Sequence, residues 1–129
     1  MAYWMVFLGG GIGSILRFWV SGWIYSILGP TFPWGTLAVN LLGSFAIGVS
    51  SELFYSLFSI SSEMRMGFLI GILGGFTTFS SFAFESVSLL RDGEIIYAVG
   101  NVLLNNVLAI LLCFLGLVFA KGLVFWIRG

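Results

Sequence analysis

The sequence has no histidine, one cysteine and two prolines, and charged residues make up only 8% of its 129 positions. Each shortage excludes a class of chemistry. With Cys113 alone in Leu111-Leu112-Cys113-Phe114 and no His anywhere, one chain forms neither a disulfide, nor a zinc cluster, nor a Cys-His nucleophile. Five Lys and Arg against five Asp and Glu leave neither the basic footprint that nucleic acid requires nor an acidic tail. The glycine clusters lie inside apolar runs and not between a strand and a helix, so they form no phosphate cradle. With no nucleophile and base to pair, an enzyme is not expected. What the chain does have is apolar: 60% hydrophobic and 18% aromatic residues, with a mean hydropathy of +1.13. Soluble domains run at about 45 to 50% apolar and about 25% charged. Too little polar surface remains to face water, and the length suits one domain over residues 1–129, so an all-α integral membrane protein is expected.

A helix crosses the hydrocarbon core with about 20 apolar residues, and charges and Pro/Gly clusters divide the chain into four such runs. The first runs from about Tyr3 to Leu28, with Arg17 as its one charge, and ends at Gly29-Pro30-Thr31-Phe32-Pro33. It lacks a basic leader and is expected to be retained, not cleaved as a signal peptide. The second runs from about Trp34 to Phe58, ended by a polar loop in which Ser61 or Ser62 suits a helix cap. The third extends from about Met64 to Leu90, and the fourth lies beyond the charged turn Arg91-Asp92-Gly93-Glu94, from Ile95 to about Trp126. Arg65, Lys121 and Arg128 fall on one side of the membrane, and Arg91 and Arg17 on or nearer the other. That balance gives no orientation signal, so the chain is expected to insert both ways up and to pair with an inverted copy of itself.

Polar residues inside spans mark functional sites by default. Thr36, Asn40, Ser44, Gly48 and Ser51 recur about four residues apart and share one face of the second span, as do Gly10, Ser14, Arg17 and Ser21 in the first. Small residues there serve close helix packing. Asn40, Asn101 and Asn105 are different, because their amides need partners where no charge is available; at least a dimer is expected, with these faces at or near the subunit contact. Arg17, late in its span, is expected to snorkel or cap a mouth. The third span holds Gly71-Ile72-Leu73-Gly74-Gly75-Phe76-Thr77-Thr78-Phe79-Ser80-Ser81-Phe82. Paired glycines followed by hydroxyl residues weaken a helix, so a break is expected at Gly74 to Thr78, with freed carbonyls able to coordinate a cation. Beyond it Phe79 and Phe82, three apart, are expected to face one side with Ser80 and Ser81 on the flank. The positive ring edge of an aromatic beside an Asn donor suits a small anion.

Three motifs, Gly9-Gly10-Gly11-Ile12-Gly13-Ser14-Ile15-Leu16-Arg17, Gly35-Thr36-Leu37-Ala38-Val39-Asn40-Leu41-Leu42-Gly43-Ser44 and Gly74-Gly75-Phe76-Thr77-Thr78-Phe79-Ser80-Ser81-Phe82, stand in an order that strongly resembles the CrcB/Fluc fluoride channels. The resemblance covers the whole chain. It implies a multi-pass protein of the cell membrane, an antiparallel dual-topology homodimer with two fluoride pores, and a sodium ion at the dimer centre. By that likeness Asn40 would donate to permeating fluoride, and Phe79 and Phe82 would present ring edges to it. Backbone carbonyls of Gly74 and Thr77 from both subunits would hold sodium, and Thr78, Ser80 and Asn105 would belong to the polar track. The sequence departs from the family pattern at Ala83 and Ala109, where serine is common, and at Ser81, where threonine is. Glu85 resembles a family acidic residue near a pore mouth, or else is a helix-end carboxylate in water.

The function expected is passive fluoride export from the cytosol, through a dimer of identical chains or of paralogues embedded in lipid. A small dual-topology proton-coupled multidrug exporter is the alternative, but it needs a carboxylate at mid-membrane. Glu52, Glu63, Glu85, Asp92 and Glu94 are all expected near span ends. A structural membrane subunit would explain the small-residue faces but not the Gly-Gly-Phe-Thr-Thr-Phe break.

Overall fold

A computed structural model describes all 129 residues, and every regular element in it is helical. Four stretches are long and apolar enough to cross a membrane: Ala2–Leu28, Trp34–Ser56, Ser62–Arg91 and Ile95–Arg128. Helix α1 (Ala2–Leu28) stops where Gly29 takes φ 80°, a left-handed conformation that glycine adopts without strain, and its amide returns to the Tyr25 carbonyl. Helix α2 (Trp34–Ser56) starts directly after Pro33. It ends two residues short of the Phe58 expected from hydropathy, because Leu57 and Phe58 both turn back onto the Leu53 carbonyl.

The third span is composite. Ser61 caps its start, accepting from the Met64 amide at 3.2 Å, so the choice between two serines falls to the first. Helix α3 (Ser62–Met66) passes into a π-helical stretch, Gly67–Leu73, and then a last turn, α4 (Gly74–Phe76). Thr77 and Thr78 are extended, with ψ of 160° and 122°, and α5 (Phe79–Arg91) begins on the far side. The expected break is therefore present near the middle of the span, but Gly74 and Gly75 are helical and the interruption lies just beyond them. The fourth span is also interrupted, by π-helical Leu104–Leu108 between α6 (Ile95–Leu103) and α7 (Ala109–Arg128).

Glycine allows two close pairings. The first span lies against Gly67–Phe76: a Cβ on Gly13 would overlap the Ile72 carbonyl oxygen, and one on Gly75 would stand 2.7 Å from the Gly10 carbonyl. Gly75 thus serves to let two backbones approach, while Gly74 beside it faces outward, where a Cβ would meet only the Leu69 carbonyl at 3.8 Å. Helix α2 lies along α7, where Gly48 meets the Cys113 carbonyl and Gly116 the Phe45 carbonyl. Only 23 residues are buried, and large apolar side chains such as Phe18 and Phe125 are more than four-fifths exposed, which suits lipid and not water.

Candidate functional site at the broken third span

An extended pair of residues inside a span leaves amides and carbonyls without helical partners, and each must be satisfied by something else. Here the first two spans supply the partners directly, and the fourth reaches them through the Asn40 side chain. In an unbroken helix the Thr78 amide would bond the Gly74 carbonyl; instead it donates to Asn40 Oδ1 at 2.7 Å. Asn40 Nδ2 donates to the Thr78 carbonyl at 3.0 Å, so one side chain of α2 grips both backbone groups of one residue. From α1, Arg17 Nη1 donates to the Thr77 carbonyl at 3.1 Å. Arg17 thus neither snorkels nor caps a mouth. The glycine-lined approach of α1 carries it to the C-terminal end of a half-helix, where a positive charge is stabilising. Thr78 then starts the next helix, its Oγ1 accepting from the Ser81 amide at 3.1 Å.

The asparagines meet one another. Asn40 Nδ2 also donates to Asn105 Oδ1 at 2.8 Å, Asn105 Nδ2 to Asn101 Oδ1 at 2.9 Å, and Asn101 Nδ2 to Ser86 Oγ at 2.9 Å. Ser86 closes the series on the Phe82 carbonyl at 2.8 Å. With the amides oriented by these bonds, every donor in the series points the same way, from α2 through the fourth span to α5. Asn101 is wholly buried, and Asn40 and Asn105 are 9% and 6% exposed. Helices of one chain already bring these amides together. The π-helical turn over Leu104–Leu108 contributes, since its extra residue rotates the side chains beyond it, and π-turns recur at functional sites.

Beside this network lies an open groove of about 330 Å³. It is walled by Asn40, Gly43 and Ser44 from α2, by Gly74, Thr77, Thr78, Phe79 and Phe82 from the third span, and by Asn105, Asn106 and Ala109 from the fourth. Phe79 and Phe82 do not share one side evenly. Their rings meet edge to face with centroids 5.1 Å apart, and Phe82 is 6% exposed where Phe79 is 74%. Of the predicted residues, Asn40, Thr78, Phe79, Phe82 and Asn105 come together on the groove with Gly74 and Thr77. Ser80 stands outside its wall, on the flank, within 3.4 Å of Thr78 Oγ1.

Residues 4–117 match the family described as CrcB-like protein, Camphor Resistance (CrcB). The chain belongs to this family. Among its relatives, the Fluoride-specific ion channel FluC of Geotalea uraniireducens (strain Rf4) is 42% identical over 114 residues, covering 88% of this chain and 92% of the relative. That of Rhizobium etli (strain CIAT 652) is 52% identical over 90 residues, 70% and 72% of the two chains. That of Agrobacterium fabrum (strain C58 / ATCC 33970) is 44% identical over 119 residues, 92% and 95%. The region matched to CrcB contains the clamp, the asparagine series and the groove.

One further cluster in this CrcB chain corrects an expectation. Glu85 is not a water-facing carboxylate at a helix end. Its Oε1 accepts from Thr36 Oγ1 at 2.6 Å and from the Tyr25 hydroxyl at 3.2 Å, so α1, α2 and α5 meet on it, while Oε2 is buried without a donor. It does not line the groove. Sequence reasoning missed Tyr25 altogether, Asn101 as the link between Asn105 and Ser86, and Asn106 beside Asn105. The available signal for the Glu85 cluster was Thr36, one turn from Asn40 on the polar face of α2.

Proposed function

We propose that this chain is a fluoride-selective channel that lets the ion leave the cytosol passively across the cell membrane, and not an enzyme. The carrying observation is the extended Thr77-Thr78 pair in the wall of a polar groove. Non-helical backbone at membrane depth is tolerated only where it is buried in protein or lines a cavity. Asn40, Thr78, Phe79, Phe82 and Asn105 build the path, with Ser80 at its edge. The names carried by the relatives support fluoride as the ion. The groove is open on one side, and the working unit is an antiparallel dual-topology dimer, of identical chains or paralogues, with two pores.

Sodium at the dimer centre fits the oxygens present. The Gly74 carbonyl has lost its helical partner to Asn40, and Gly74 lies on an exposed face where a Cβ would meet only the Leu69 carbonyl at 3.8 Å. The Thr77 carbonyl gives one lone pair to Arg17 and keeps a second. No trio of His, Cys, Asp or Glu side chains converges on a competing site, and hard monovalent cations accept neutral oxygen ligands. Bound there, the ion would neutralise carbonyl dipoles at the half-helix end and tie two copies together.

The exporter alternative gains a carboxylate inside the bundle, Glu85, but that group is engaged by two hydroxyls and stands off the groove. The deciding experiment reconstitutes the purified protein in liposomes loaded with fluoride or chloride. Fluoride efflux down its gradient, without a proton gradient and with chloride retained, is expected; efflux that needs a proton gradient would replace the channel with the exporter.

A further inference from the structure

We propose that Tyr25 is a positioning residue for conduction: its hydroxyl keeps the Glu85 carboxylate off the anion path, which that charge would otherwise obstruct. The proposal rests on the channel reading above and adds to it a residue outside the groove. Thr36 lies one turn from Asn40 on α2, and Glu85 lies three residues beyond Phe82 on α5. Asn40 and Phe82 line the groove whereas Thr36 and Glu85 do not, so the carboxyl group stands one turn beyond it along two of its walls. A negative charge there opposes the passage of an anion. How strongly it opposes depends on where the side chain is held.

Two hydroxyls hold it. Glu85 Oε1 accepts from Thr36 Oγ1 at 2.6 Å and from the Tyr25 hydroxyl at 3.2 Å, and the two hydroxyl oxygens are themselves 3.4 Å apart. These partners orient the carboxylate without cancelling its charge. The tyrosine ring is fixed in turn by α2: a Cβ on Gly35 would overlap the ring edge, so glycine beside Thr36 is what lets the α1 side chain reach across to α5. The other half of the carboxyl group has no partner. Oε2 is buried without a donor, and an unsatisfied buried acceptor costs free energy wherever the surroundings do not force it. Without the Tyr25 hydroxyl only Thr36 remains on Oε1, and the polar groove one turn away offers Oε2 the solvation that its present place denies. Tyr25 does not line the groove itself and acts through Glu85.

The test measures fluoride efflux from liposomes for the wild type, Tyr25→Phe, Glu85→Gln and the double variant, each checked for wild-type elution. Tyr25→Phe keeps the ring on Gly35 and removes only the hydroxyl. Bringing a unit negative charge from about 8 to about 4 Å of an anion, at an effective dielectric of about 20, lowers occupancy about 30-fold. Tyr25→Phe should therefore slow efflux by about 10- to 30-fold. Glu85→Gln, which removes the charge and keeps the shape, should run at or above the wild-type rate, and in the double variant the loss caused by Tyr25→Phe should vanish. A double variant as slow as Tyr25→Phe would make the tyrosine merely structural and overturn the proposal, as would wild-type efflux in Tyr25→Phe or lost efflux in Glu85→Gln alone. A wild type without fluoride efflux would instead remove the channel reading, and this proposal with it.

Discussion

Asn40→Asp is the sharpest single perturbation of the break, because it changes one group and leaves the shape. The acceptor that receives the Thr78 amide survives. The donor does not: a carboxylate oxygen replaces Nδ2, where the Thr78 carbonyl stands at 3.0 Å and Asn105 Oδ1 at 2.8 Å. Two hydrogen bonds are lost, and two buried acceptors then face a third. Each orphaned acceptor costs about 1 to 3 kcal/mol, so the loss is about 2 to 6 kcal/mol. Folded proteins have about 5 to 15 kcal/mol in all, so the variant should lose a large share of its stability, and fluoride efflux should fall with it. Unfolding in mixed detergent micelles reads the stability. A double-mutant cycle with Asn105→Leu isolates the contact between the two side chains, and a coupling of about 1 to 3 kcal/mol is expected. Wild-type stability in Asn40→Asp, or a coupling near zero, would show that Asn40 does not hold the break and that the hydrogen-bond geometry has been misassigned.

Arg17→Met should lower stability by about 1.5 to 3 kcal/mol, the worth of a charge-assisted hydrogen bond, and Arg17→Lys by less; thermal inactivation of the purified protein checks the order. In the first span, Gly13→Ala should cost about 1 to 3 kcal/mol by driving a methyl into the Ile72 carbonyl, whereas Gly10→Ala, with nothing within 4 Å of its Cβ, should be tolerated; equal effects in the same assay would contradict this packing. Ser62→Cys in a Cys113→Ser background should react with impermeant thiol reagents from both sides of the membrane if the chain inserts both ways up, and labelling from one side alone would remove dual topology.

The spans could be read from the sequence because the bilayer imposes one length on every crossing helix, and because Gly29 with the two prolines after it and the Arg91-to-Glu94 turn are local stop signals. The position of the break was nearly legible and its cause was not. Helix propensity points to Gly74 and Gly75 as the weak place, yet both are helical, and what Gly75 supplies is room for the backbone of α1. The chain turns extended two residues later because acceptors and donors arrive there from elsewhere: Arg17 across 60 residues of sequence, and Asn40 across 38. No local window contains either contact. The same holds for the asparagines, which single out a polar site by type but reveal their pairing only when α2 and the fourth span are side by side, 65 residues apart in sequence. A break held from α1 and α2, with Asn40 in turn bonded to Asn105 of the fourth span, is a tertiary feature. Its geometry therefore depends on the packing of α1 and the asparagine series as much as on the Gly-Gly-Phe-Thr-Thr motif, and weakening either should disturb the groove without any change to the residues that line it.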